Sequence, residues 1–151
     1  MSLDATEPTD SVPKSFNFNM PVGNEKCSGN PTLFPTWVGS LQGRIVGDAT
    51  WTVHFASPPS RVIARIWTDT PVASCNDAYI EPAQEILVEI PAGRNEVEIV
   101  FEKLNLPARG TIMLELLQRS ATQQGRVFYD AKGFDSRIEF KCVPAKGKAC
   151  A

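Results

Sequence analysis

Apolar residues in this chain recur at every second position in short runs, and prolines and glycines end those runs before any reaches helix length. A period of two sends successive side chains to opposite faces, so each run can bury one face in a sheet. No 3.6-residue pattern of helix length competes with it. Ser15-Phe16-Asn17-Phe18-Asn19-Met20 is the plainest case, with Phe16, Phe18 and Met20 on one face. In Ala49 to Phe55, Trp51, Val53 and Phe55 point one way and Thr50, Thr52 and His54 the other.

Read in this way, the chain predicts about eight short strands. Leu41 to Val46 and Ala49 to Phe55 read as a hairpin about Gly47-Asp48. Arg61 to Thr68 follows, with Val62, Ala64 and Ile66 inward. Glu85 to Ile90 and Asn95 to Leu104 flank the turn Pro91-Ala92-Gly93-Arg94, with Ile86, Val88 and Ile90 facing inward alongside Val97, Ile99 and Phe101. Leu106 to Gly110 reads as a break before Thr111 to Gln118, and Arg126 to Asp130 with Ser136 to Cys142 reads as a last hairpin. Pro21 to Pro35 and Asp69 to Ala83 read as long loops. Such spacing predicts an all-β fold, an antiparallel β-sandwich that is jelly-roll-like or immunoglobulin-like. Residues 1–14 read as a flexible arm or linker, and 15–151 as a single sandwich domain. The expected core comprises Phe16, Phe18, Trp51, Val53, Phe55, Val62, Ile66, Val88, Val97, Ile99, Phe101, Leu114, Leu116, Val127, Tyr129, Ile138 and Phe140.

The strand, Ile-Pro-Ala-Gly turn and strand from Ile86 to Phe101 resemble hairpins in secreted sandwich modules, both carbohydrate-binding and immunoglobulin-like. That resemblance covers a small part of the chain and reports turn chemistry.

Charge excludes one class of partner. The 151 residues carry a formal net charge of −2. Neither side of Cys75 is basic, with 5 basic and 6 acidic residues before it and 10 basic and 11 acidic after it. A phosphate backbone therefore finds no complementary field, and nucleic acid is not an expected partner. No apolar run approaches the ~18 residues a membrane-spanning helix needs.

Four cysteines, Cys27, Cys75, Cys142 and Cys150, are scattered with no Cys-x-x-Cys, and His54 is the sole histidine. Zinc needs tighter pairs, so two disulfides are the better reading. Three pairings satisfy four cysteines; Cys142–Cys150 with Cys27–Cys75 is the one favoured. A disulfide framework implies a secreted or periplasmic protein. Met1-Ser2-Leu3 is then read as a scar where an export signal was removed, because Asp4 to Pro13 lacks the basic-then-apolar pattern of such a signal.

Catalytic constellations are scarce. A triad would have to use His54, which sits mid-strand beside Thr50 and Thr52 with no Gly-x-Ser-x-Gly elbow. Two-carboxylate glycoside hydrolysis would draw on Glu89, Glu96, Glu98 and Glu102, but an alternating polar face reads first as solvated. The expectation is a protein that is not an enzyme. No organic cofactor is expected; calcium is the softer alternative, held by Asp69, Asp77 and Glu81 in or beside one loop.

A binding face is the remaining candidate. Arg61, Ile63, Arg65 and Trp67 share the polar side of their strand, and an exposed Ile63–Trp67 strip would suit a sugar ring or a protein hot spot. Trp37, Tyr79 and Phe134, read as loop aromatics, would extend it. The sequence therefore predicts a secreted, non-catalytic binding module with carbohydrate as the first choice of ligand. An extracellular or periplasmic protein partner comes second, for an inhibitor, adhesin or envelope component. A carboxylate-based hydrolase comes third.

Overall fold

The computed structural model describes residues 2–3, 14–18, 36–68, 81–117, 125–129, 131, 133 and 136–144. Among the described residues ten strands form two five-stranded sheets: β1 (Ser2–Leu3), β2 (Lys14–Phe18), β3 (Thr36–Gly39), β4 (Gln42–Ser57), β5 (Arg61–Trp67), β6 (Gln84–Glu89), β7 (Glu96–Arg109), β8 (Ile112–Leu117), β9 (Gly125–Tyr129) and β10 (Arg137–Val143). The first sheet runs β1-β3-β8-β5-β6. In the second, β7 lines one edge of β4, while β10 and β9 share the other and β2 lies outside β9. All pairings are antiparallel except that of β1 with β3. The expected antiparallel sandwich is the fold of this chain. Residues 1–14 are partly built into it, through Ser2–Leu3 beside Val38–Gly39 and through Lys14 beside Tyr129.

The alternating residues meet between the sheets. Trp51, Val53, Phe55, Val62, Ile66, Val97, Ile99, Phe101, Leu114, Leu116 and Val127 are all buried, and Ile138, Phe140 and Val88 pack against them. Tyr129 is half-buried, and the side chains of Phe16 and Phe18 lie outside the described residues. The aromatic centre is Trp51. Trp37 meets it edge-on at 5.3 Å, and Phe101 stacks at 6.5 Å with an interplanar angle of 18°. Such pairs add about 0.5–1.5 kcal/mol beyond the area they bury.

Four connections differ from the sequence reading. Gly47-Asp48 is not a hairpin turn. β4 runs straight through it for 16 residues, and the register against β7 shifts between Gly47 and Ala49. Gly47 has φ 85° and Lys103, opposite, has φ 53°; the Lys103 amide donates to Asp48 Oδ1 at 3.0 Å. A glycine with positive φ serves a bulge as well as a turn, and the local pattern does not separate the two.

The expected hairpin at 86–101 is a crossover between sheets, because β6 pairs with β5 and β7 with β4. Its inward residues were read correctly, but they face one another across the core rather than along a ladder. Alternation fixes which side is buried; it does not name the lateral neighbour.

The last two strands do not form a hairpin either. β10 pairs with β4 from Arg44 to Thr52, and β9 takes over from His54. Ser136 fills the junction, accepting from the His54 amide at 3.2 Å and donating to the Phe128 carbonyl at 2.8 Å. Finally, the break expected at Leu106 to Gly110 comes later, since β7 continues through Pro107 to Arg109. Among the described residues β7 pairs only with β4, and an edge strand tolerates proline because one row of its amides has no ladder partner to lose.

Candidate functional site

The polar side of β5 is the place to begin, because the expected binding strip lies there. Arg61, Ile63, Arg65 and Trp67 do share the face turned away from the sandwich interior, but three of them are solvent-excluded. Trp67 is 1% exposed, Arg65 3% and Ile63 4%. Met113 and Leu117 on β8 share that face and are equally buried. An exposed Ile63–Trp67 strip is thus overturned: the face is covered, and Trp67 is packed rather than presented. Only Arg61 reaches solvent, 3.6 Å from Glu89.

Register explains how charge survives in this second buried layer. Thr36, Glu115, Arg65 and Glu85 pair in turn across β3, β8, β5 and β6, so their side chains form one row. Arg65 Nε donates to Glu85 Oε2 at 2.6 Å, and its Nη1 lies 3.6 Å from Glu115 Oε1. Thr36 Oγ1 donates to Glu115 Oε2 at 3.5 Å. Glu115 is fully buried. A buried charge persists only when paired, and here one guanidinium serves two carboxylates. The two arginines of this strand were read as evidence of water; for Arg65 the reason is instead a neutralising row supplied by other strands.

The rest of the expected site disperses. Trp37 is not a loop aromatic but a β3 residue in the main core, 2% exposed against Trp51. Tyr79, Phe134, Asp69 and Asp77 lie outside the described residues, as do Cys27, Cys75 and Cys150. Glu81 is exposed, and no group of three or more metal-ligating side chains occurs among the described residues. Cys142 is half-buried on β10 with Sγ 4.0 Å from the Gln42 carbonyl. His54 is half-buried on the outer face of the second sheet, in register with Glu96 on β7 and Phe128 on β9. Glu96, Glu98 and Glu102 line the exposed face of β7, whereas Glu89 belongs to the other sheet.

One surface feature was missed. β6 ends the first sheet among the described residues, and Leu87 at its middle is 56% exposed, the most exposed of the large hydrophobic side chains described. The Ile90 amide bonds to the Ser60 carbonyl at 2.8 Å. By antiparallel alternation, the even-numbered residues of β6 are then bonded to β5, and Glu85, Leu87 and Glu89 turn their amides and carbonyls outward. Glu85 and Glu89 flank Leu87 on the same face, each engaged by an arginine of β5. The signal was present as Glu85-Ile86-Leu87-Val88-Glu89, an apolar residue on the charged side of an alternating run.

The neighbouring edge of β7 is arranged differently. The Phe55 amide bonds to the Asn95 carbonyl, so Glu96, Glu98, Val100 and Glu102 turn their backbone groups outward there. Those of Glu102 are satisfied by one side chain. Gln84 Nε2 donates to the Glu102 carbonyl and Gln84 Oε1 accepts from its amide, both at 3.0 Å. A primary amide thus stands in for a strand and ties the two sheets together at their open side.

No family model matches this chain, and no curated protein does. Among solved structures, it is similar to an aminopeptidase from the marine sediment archaeon Thaumarchaeota archaeon, with a TM-score of 0.59 and 10% identity. The likeness covers 91% of this chain and 34% of that one, so this chain spans about a third of that protein's length. At such identity the likeness concerns the fold alone, and it places this chain in the class of all-β sandwich domains.

Proposed function

We propose that this chain is a non-catalytic binding module that works outside the cytoplasm and takes a protein as its partner. The observation that carries this reading is the β6 edge, where outward backbone groups and a 56%-exposed Leu87 coincide. Exposed apolar residues on strand edges are used in recognition by strand addition. The carbohydrate reading loses its platform, because a sugar ring cannot stack on Trp67 or Trp37 while both are solvent-excluded. It would have to rest on Tyr79 and Phe134. The extracytoplasmic assignment rests on the disulfide framework expected of the four scattered cysteines, of which Cys142 lies half-buried on β10.

The test is direct. The oxidised domain is immobilised and challenged with native extract and, in parallel, with a glycan panel with and without calcium. A protein retained by the column and displaced by soluble domain is expected, with the glycan panel blank. A glycan bound reproducibly, with no protein retained, would overturn the reading in favour of carbohydrate.

A further inference from the structure

We propose that the β6 edge accepts an extended basic segment of a partner protein, added antiparallel to the first sheet with an apolar residue opposite Leu87 and Lys or Arg opposite Glu85 and Glu89. This rests on the protein-binding reading above and names the site and the chemistry of its ligand.

Three features select β6 over the neighbouring open edge, that of β7. First, the two edges are guarded unequally. On β7 the outward positions hold Glu96, Glu98 and Val100, but the backbone groups of Glu102 beyond them are already taken by Gln84. On β6 Leu87 stands 56% exposed between Glu85 and Glu89, whose side chains stay 40% and 68% exposed beside Arg65 and Arg61. Second, β7 bulges at Lys103, whose φ is 53°, and carries Pro107, so a partner strand cannot follow it for long. The six residues of β6 contain neither. Third, the Gln84 clamp holds β6 against the second sheet at one end, so the acceptor edge is fixed before a ligand arrives.

Charge decides the occupant. If a second copy of this chain paired β6 to β6 about Leu87, each Glu85 would face a Glu89 of the other copy. Like charges directly opposite destabilise a ladder, so self-pairing is disfavoured. A strand with basic residues two positions either side of an apolar one meets the same carboxylates with opposite sign. Main-chain bonds from Glu85, Leu87 and Glu89 would supply affinity, and the alternate side chains would supply selection.

The experiment uses the whole chain and two synthetic peptides, TKTVTKT and its acidic counterpart TETVTET. The lysine peptide is expected to bind, with the acidic peptide weaker by about tenfold or more, and hydrogen exchange at the Leu87 amide should slow while that at Val100 does not. Leu87→Pro removes the outward amide at a position where an edge strand tolerates proline, and Glu89→Lys reverses one flanking charge on an exposed residue. Each should weaken binding by about tenfold or more with the melting temperature held. Should Leu87→Pro disturb folding, Leu87→Lys and Glu89→Lys carry the test. Binding that is absent, that ignores these changes, or that protects Val100 overturns the proposal. The parent reading is judged separately: a protein retained equally by wild type and by Leu87→Lys leaves the protein-binding function standing and refutes this site alone.

Discussion

Arg65 and Glu115 face each other on adjacent strands, 3.6 Å apart, 3% and 0% exposed, on the side of the first sheet turned away from the main core. An ion pair so placed does not stabilise by its own attraction, since removing both charges from water costs as much as their contact returns. What it sets is a penalty for losing one member. Glu115→Ala should therefore destabilise the fold by about 3–5 kcal/mol, whereas Glu115→Leu combined with Arg65→Met should recover much of the loss. Denaturant unfolding of the single and double variants measures this; a single variant within 1 kcal/mol of wild type, roughly the scale of an exposed pair, would show that the row is not electrostatically tight.

Trp67→Ala is expected to act on stability rather than on ligand affinity. The indole is buried in a layer with Ile63, Met113 and Leu117, and deleting it should cost about 3–5 kcal/mol. The same substitution on an exposed platform would leave the melting temperature in place and abolish binding alone, so a thermal scan distinguishes the two.

Ser136 holds the point where β4 changes partners. Ser136→Ala leaves the His54 amide and the Phe128 carbonyl without this hydroxyl, at a cost of about 1–3 kcal/mol. Ser136→Thr keeps the hydroxyl and should lose less. Hydrogen exchange at the His54 amide should quicken in the alanine variant and stay near wild type in the threonine one.

Gln84 provides the one-sided counterpart. In Gln84→Glu the side chain still accepts from the Glu102 amide but no longer donates to its carbonyl, and a charge is added beside Glu102. A loss of about 1 kcal/mol is expected, with faster exchange at the Glu102 amide than in wild type. Unchanged exchange there would mean that the clamp does not hold the open side.

The backbone at the β4 bulge gives the last expectation. A Cβ at Gly47 would meet nothing within 4 Å, so any cost of Gly47→Ala comes from its φ of 85° rather than from a clash. About 1–2 kcal/mol is expected. Lys103→Gly, at φ 53°, should be neutral or stabilising by up to about 1 kcal/mol despite the loss of a side chain. Paired chemical denaturation curves check both signs.

How much of this was legible differs from residue to residue. Val53, Phe55, Val97, Ile99 and Phe101 were placed inward from alternation alone, because a pleated strand leaves the side of each residue no choice once one face is buried. The same rule put Arg65 and Trp67 together on the opposite face, and that was correct. Their exposure was not, because a strand pattern cannot tell whether a second layer covers its polar side, and the partners that make burial tolerable to Arg65 come from positions 36, 85 and 115. Trp37 was misplaced for a related reason: four residues of strand amid a proline-rich region carry too little pattern to read.

By itself the sequence determined a local property: short alternating strands, broken by proline and glycine, that must stack as two sheets to bury their apolar faces. Only the tertiary structure decided lateral order. Gly47-Asp48 became a bulge rather than a turn because β7 runs beside both halves of β4. The 86–101 segment crossed between sheets because β5 and β4, remote in sequence, offered the ladders that β6 and β7 joined. Which edges then stayed open, and so where Leu87 meets solvent, follows from long-range hydrogen bonding between strands, and no short stretch of sequence encodes its partners.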